Sequence, residues 1–369
     1  MRRVTELDSL RGLTALAIVF YHMHPEFAFG WTRVDLFLVL SGYLVTSIVL
    51  KYHRAEGFLL TLFARRALRI WPCYLLALVL TVVLNPYLNE PFQLDGWPYF
   101  LTFSQNIPHY WGAEPPPFSE YFHHTWTLAI IEQFYLLWPV LIVLLSPRRI
   151  VPMALALILL SLGTRFWGLI PWVLLARCDG LALGGMLAAL TADPDRVARH
   201  IGRYRLGFSA AIVASAGLLA LSLSHPTGTS YHSTAESIWP SITIFGSSLL
   251  YFGLLGLVVC ASGHPALAVL RHPRLVALGM ISYGLYLYHP LTLVAVNRLA
   301  DEFGIGPRWF VDGLELAACM TIAWLSWILL ERPINRLRGR FPFRIARETP
   351  APHVRPRESR TGVSMVPHH

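Results

Sequence analysis

Val34-Asp35-Leu36-Phe37-Leu38-Val39-Leu40-Ser41-Gly42-Tyr43-Leu44-Val45-Thr46-Ser47-Ile48-Val49-Leu50, followed by Lys51 and Arg54, holds one charged side chain, Asp35. A helix needs an apolar run of this kind to cross about 30 Å of hydrocarbon. The basic residues just beyond it mark the end that stays in the cytoplasm. Working outward, similar runs cover 9–24, 68–84, 124–146, 151–163, 169–190, 206–223, 238–261, 276–297 and 311–330. The fifth span is short, and the sixth is crossed by Arg177 and Asp179. The whole chain agrees with that reading. It has 369 residues, 55% hydrophobic and only 14% charged, where a soluble protein carries about 25% charged. Its mean hydropathy is +0.50. An ordinary soluble enzyme, a disordered protein and a repeat solenoid are excluded. The expected fold is all-α, a polytopic integral membrane protein with about ten transmembrane helices.

The net charge of +9 suggests nucleic acid until its placement is considered. Lys51, Arg54, Arg65 and Arg66 follow the second span; Arg148 and Arg149 follow the fourth. Arg196, Arg199, Arg203 and Arg205 follow the sixth, Arg271 and Arg274 the eighth. Beyond the last span come Arg332, Arg336, Arg338, Arg340, Arg344 and Arg347. The intervening connections 85–123 and 224–237 hold no Lys or Arg. The alternation breaks only at 298–310, where Asp301 and Glu302 offset Arg298 and Arg308. The charge is topological: both termini are expected in the cytoplasm, the partner is the lipid bilayer, and no nucleic acid is needed.

Met1-Arg2-Arg3 resembles a signal-peptide start, but no small-residue cleavage site follows, so an uncleaved first helix is expected. The four cysteines are widely spaced within apolar runs and form neither a disulfide framework nor a metal site. The Pro- and aromatic-rich segment 85–123 is expected to pack as an outer cap or re-entrant segment. The basic tail 341–369 is expected to be disordered and cytoplasmic.

Ionisable groups at membrane depth cost about 2.5–3.5 kcal/mol each, so each one asks for a partner or a function. Arg11 and His22 are eleven residues apart, roughly three turns, and share one helix face about 16 Å apart along the axis. That places an anion-binding cation near the cytoplasm and a proton acceptor deeper; a snorkelling Arg and a packed His would be the structural alternative. Arg66 and Arg69 open the third span three residues apart, placed to grip phosphates together or to anchor the helix. Glu132 stands alone two turns into the fourth span, and Asp35 stands at the start of the second. Arg177 and Asp179 read as a structural pair, neutralising each other or a partner helix. His24, His123 and His124 lie at helix ends, where histidine carries little signal. His289 precedes Pro290, which frees a backbone carbonyl in its helix.

Taken in order, these segments resemble the acyltransferase-3 family of integral-membrane O-acyltransferases over about residues 5–335. Leu7-Asp8-Ser9-Leu10-Arg11-Gly12 with His22 is similar to the family's opening Arg, ten residues, His motif. Val34 to Leu44, Arg66-Ala67-Leu68-Arg69, Glu132-Gln133-Phe134-Tyr135, Ser282-Tyr283-Gly284-Leu285-Tyr286 with His289, and Glu331-Arg332-Pro333 resemble its later landmarks. Arg33, Thr127 and Ile131 depart from the usual residues, and Ile131 leaves Glu132 without an acidic neighbour. A soluble hydrolase-like domain, fused to some members, is not expected after the tenth span.

The resemblance implies transfer of an acyl group, usually acetyl, from cytoplasmic acyl-CoA to a hydroxyl in a bacterial plasma membrane, with no metal. Glycans or other hydroxylated acceptors, macrolides among them, are the implied partners. On that reading Arg11, Arg66 and Arg69 hold the donor phosphates. His22 acts as general base or acyl carrier, with Asp35 or Glu132 orienting its ring. A non-enzymatic permease or flippase would also explain buried charges, but not six ordered motifs.

Overall fold

A computed structural model describes residues 4–26, 30–88, 95–111, 113–114, 118–225 and 238–344. Its long helices are α1 (Thr5–Met23), α2 (Val34–Tyr52), α3 (Phe58–Leu88), α4 (Trp126–Leu145) and α5 (Ile150–Phe166), then α6 (Leu174–Leu190), α7 (Ile201–Leu223), α8 (Trp239–Cys260), α9 (Pro273–Glu302) and α10 (Arg308–Ser326). Each coincides with one of the apolar runs, and among the described residues there is no strand, only a bridge between Glu56 and Arg344.

Among the described residues, seven helical stretches are long and apolar enough to cross a membrane. They contain α2, α3, α4, α5, α7, α8 and α10. The shortfall in the other three has a local cause. α6 is only 17 residues long. α1 carries Glu6, Asp8 and Arg11, and the middle of α9 carries His289, Pro290 and three tyrosines. Leu144, Leu159, Leu206, Val213 and Leu329 project outward uncovered, as lipid-facing side chains do and as a soluble bundle would not tolerate.

Two close crossings organise the bundle. α2 lies against α6, and α1 against α9. At the first, a Cβ on Gly184 would collide with the Val39 carbonyl, and one on Gly42 with that of Leu181. Gly12 and Gly279 allow the second crossing in the same way. Small residues that let backbones touch are the main route to helix association in lipid. α8 packs on both α2 and α6, α7 on α8, α5 on α6, and α10 on α9.

Buried charges tie the α2–α6 half together. Arg177 of α6 pairs with Asp35 of α2 at 3.0 Å, and Arg165 of α5 with Asp179 of α6 at 2.8 Å. The expectation that Arg177 and Asp179 neutralise each other or a partner helix resolves into two pairs, each with a neighbouring helix.

α3 departs from the expected span. It begins at Phe58, after Gly57 at φ +58°, well before residue 68. Arg65, Arg66 and Arg69 therefore sit inside a continuous helix and not at its mouth. The apolar turn Phe58-Leu59-Leu60 pulls the start back.

The described part of 85–123 is structured. Short helices Trp97–Leu101 and Glu120–His123 pack Phe100, Phe118 and Phe122 around Tyr74, whose hydroxyl donates to the Phe100 carbonyl at 2.8 Å. Residues 89–94, 112 and 115–117 lie outside the described residues. At the other end, Phe341 to Arg344, assigned from sequence to the tail, are docked: Arg65 donates to the Phe341 carbonyl at 2.9 Å, and Phe343 stacks on Tyr52. The rest of the tail lies outside the described residues.

Candidate functional site

Two chambers converge between α1, α2, α3, α4 and α9. The basic chamber, about 480 Å³, is lined by Arg11, Arg65, Arg66, Arg69 and Arg338 together with Ser282, Tyr283, Tyr52 and Phe343. A neighbouring cavity of about 810 Å³ beside α2 shares Arg11 and Arg69 with it. The histidine chamber, about 600 Å³, is lined by His22, His109, His123 and His124 with Trp126, Trp172 and Tyr121. Val34, Thr127 and Tyr286 belong to both linings, so the chambers meet there. The Tyr286 hydroxyl is hydrogen-bonded to the Thr127 hydroxyl and donates to the His124 carbonyl at 2.7 Å, closing a partition between them.

Arg11 is oriented by α9. Its Nε donates to the Ser282 hydroxyl at 2.9 Å and its Nη2 to the Gly279 carbonyl at 2.6 Å. The Gly12–Gly279 contact brings the helices close enough for this. Arg66 lies with its guanidinium 3.2 Å over the Tyr135 ring and 2.7 Å from Glu132. Glu331 ends a π-turn, Trp327–Glu331, that follows α10, and lies within electrostatic reach of Arg69 and Arg11. π-turns of this kind often re-aim a side chain at a functional site.

His22 opens onto the histidine chamber, with its Nδ1 2.9 Å from the Ile18 carbonyl one turn earlier. That contact fixes the ring and leaves Nε2 as its second position. His289 lies edge-on to His22, ring centroids 4.7 Å apart, and His124 lies 5.3 Å from His289. Pro290 cannot donate to the Tyr286 carbonyl four residues back. His289 Nδ1 takes that place at 2.7 Å. The buried Nε2 of His289 has no hydrogen-bond partner among the described residues.

The structure therefore brings Arg11, Arg66 and Arg69 to one chamber and His22 to the other. It does not bring Asp35 or Glu132 to His22. Asp35 is fully buried against Arg177 and takes a hydrogen bond from Ser248 at 3.3 Å; Glu132 is taken by Arg66. Ring orientation by either carboxylate is corrected to orientation by the Ile18 carbonyl. The reason is that strong cations on α6 and α3 lie nearer to them than the imidazole does. Sequence reasoning missed Arg65, Arg338, Phe343 and His124. Arg65 could have been found from its adjacency to Arg66; the others depend on folding distant segments together. Among the described residues no cluster of His, Cys, Asp or Glu could hold a metal.

A family profile described as an acyltransferase domain matches residues 4–330. An O-acetyltransferase OatA of Staphylococcus aureus is 28% identical over 369 residues, covering 91% of this chain and 58% of the relative. The peptidoglycan O-acetyltransferase OatA of Listeria monocytogenes is 26% identical over 365 residues, covering 90% and 56%. The chain thus spans less than three-fifths of the length of these relatives. No solved structure matches it.

Proposed function

The chain belongs to the acyltransferase-3 family, and from that premise we propose that it is an O-acyltransferase of the bacterial plasma membrane. It takes an acyl group, acetyl in the simplest case, from cytoplasmic acyl-CoA and passes it to a hydroxyl of a glycan or related acceptor. The observation that carries this reading is the pair of chambers meeting at Thr127 and Tyr286, one lined by arginines and the other by histidines.

The donor is a polyanion. Arg66 and Arg69, with Arg65 and Arg338 beside them, supply charge-assisted donors for its phosphates. Arg11 holds the inner end of the same chamber. The acceptor hydroxyl enters from the histidine side. His22 Nε2 takes its proton as the oxygen attacks the thioester carbon; the carbon–sulfur bond breaks, and the departing thiolate regains a proton from the imidazolium. The partition favours a second version, in which His22 Nε2 attacks the thioester carbon and the carbon–sulfur bond breaks to release the thiolate; the acceptor hydroxyl then attacks the acyl-imidazolium, the carbon–nitrogen bond breaks, and the hydroxyl proton passes to the thiolate. The same reading places the arginine-rich connections and both termini in the cytoplasm, with about ten spans.

Single-turnover transfer and equilibrium donor binding, measured in nanodiscs, test the assignment. His22→Ala should lose about 10²–10⁴-fold in transfer rate as a lost general base, and essentially all transfer as a lost carrier, with donor affinity unchanged. Label that never leaves the thioester in the parent protein would favour a permease. Substantial turnover in His22→Ala would move the role to His289 or His124.

A further inference from the structure

The histidine chamber does not end at His109. Across the edge-on contact of His109 with Trp172, ring centroids 4.9 Å apart, lies another cavity of about 640 Å³, lined by Tyr110, Glu114 and Trp167. His109 and Trp172 belong to both linings, so the two cavities form one cleft with a saddle between them. The saddle is firmly built. Asn106 donates to the Trp172 carbonyl at 3.2 Å, His109 Nδ1 lies 3.0 Å from the Ala113 carbonyl, and the Tyr110 hydroxyl accepts from the Leu175 N–H at 3.2 Å. Burial holds the His109 imidazole below its usual pKa, so the saddle is uncharged at neutral pH.

The charge on this cleft has one sign. Among the described residues neither cavity is lined by Lys or Arg, and each carries an exposed carboxylate, Glu120 in one and Glu114 in the other. The described parts of segment 85–123, which line much of the wall, hold no Lys or Arg. Arg308 does reach Asn297 on the lining, at 2.6 Å, but its guanidinium is bound by Asp312 at 2.8 Å and Glu315 at 3.2 Å. Membrane topology alone accounts for the missing cations. It asks for no carboxylates and no aromatic saddle. Whatever its origin, a negative cleft with apolar walls focuses a potential that repels anions.

Resting on the acyl-transfer reading, we infer that this double cleft is the acceptor site and selects by charge. It takes an extended, uncharged or cationic sugar chain, whose rings pack on either side of Trp172, and it turns polyanionic glycans away. The cavity at Tyr110, Glu114 and Trp167 is the second sugar subsite.

Three trimers with the same hydroxyls and different charge test this: N-acetylglucosamine trimer, the free glucosamine trimer at mildly acidic pH, and its N-succinyl derivative. Binding to the full chain is measured in neutral-lipid nanodiscs, and acyl transfer separately. The neutral and cationic trimers should bind at least about ten-fold more tightly than the anionic one, the scale expected for two carboxylates acting through partly wet surroundings. Glu114→Gln with Glu120→Gln should shrink that gap to about three-fold or less. Trp172→Ala should weaken the trimers far more than the monosaccharide. Equal or tighter binding of the succinylated trimer, a gap unchanged in the double variant, or no binding of any trimer would overturn the inference. Trimer binding with the expected charge preference but no acyl transfer from any donor would instead count against the proposed activity.

Discussion

One substitution cannot separate the ion pair that Arg66 makes from the donor contact proposed for it, and the structure supplies the partner that can. The Arg66 Nη2 lies 2.7 Å from Glu132, and the two side chains are 13% and 14% exposed. Arg66→Ala leaves the Glu132 carboxylate at membrane depth without its cation. Removing one partner of a fully buried pair costs about 3–5 kcal/mol, and the residual exposure here brings that to roughly 2–4 kcal/mol. If Arg66 also holds a donor phosphate, the same change costs about 1.5–3 kcal/mol of binding, or ten-fold and more in affinity. Glu132→Gln in the Arg66→Ala background removes the stranded charge. Most of the stability should return, while donor affinity should stay low. Thermal unfolding in nanodiscs and equilibrium binding of acetyl-CoA read the two effects separately. Donor affinity restored in the double variant would make Arg66 only the counter-ion of Glu132. A single variant as stable as the parent would refute the argument from uncompensated charge.

The α2–α6 crossing predicts that Gly184→Ala will not accumulate as folded protein, because its Cβ meets the Val39 backbone; Gly163→Ala, with no atom near the new Cβ, should be neutral by detergent-extracted yield. Phe343, stacked on Tyr52 with ring centroids 4.4 Å apart at the edge of the basic chamber, should act on the donor. Phe343→Ala should raise the donor KM several-fold with kcat little changed, and steady-state kinetics that show the reverse would remove it from the donor site. Reporter fusions after Lys51 and Arg199 should read cytoplasmic and one near Glu114 external; a cytoplasmic signal near Glu114 would break the ten-span arrangement.

Much of the fold was legible because lipid imposes a one-dimensional rule: each apolar run became a helix. Boundaries were less so. Hydropathy alone started the third span at residue 68, since Arg65, Arg66 and Arg69 depress it, whereas the helix begins at Phe58 and turns those arginines inward. The same effect removes α1 and α9 from the strictly apolar helices, and these two carry Arg11, His22, Ser282, Tyr286 and His289. Polar residues that blur a span are therefore where the candidate site lies. Pairing was the hidden part. Asp35 and Glu132 looked alike as lone carboxylates, and only packing shows that one faces Arg177 and the other Arg66. His124 looked like a helix-end histidine. The 159-residue separation of Thr127 and Tyr286, joined at the partition, sets its ring beside His289.

The division between chambers also bears on how far the acyl group must travel. Arg11 and His22 share one face of α1, roughly 16 Å apart by helical rise, and they line opposite chambers. Neither can act on an atom held by the other. A donor whose phosphates sit among Arg65, Arg66 and Arg69 must extend a long, thin arm toward Val34, Thr127 and Tyr286, as a pantetheine chain does. A thin arm of that shape needs only the Thr127–Tyr286 contact to open, whereas the bulky nucleotide would stay among the arginines. Holding the thioester at that boundary, with an imidazole on the far side, converts a reaction between two compartments into one between neighbours. On this argument the Thr127–Tyr286 hydrogen bond is the contact that has to yield for the acyl group to pass. Ser282, one turn earlier in α9, accepts from Arg11 at 2.9 Å, so one helix carries both an arginine contact of the basic chamber and the tyrosine of the partition.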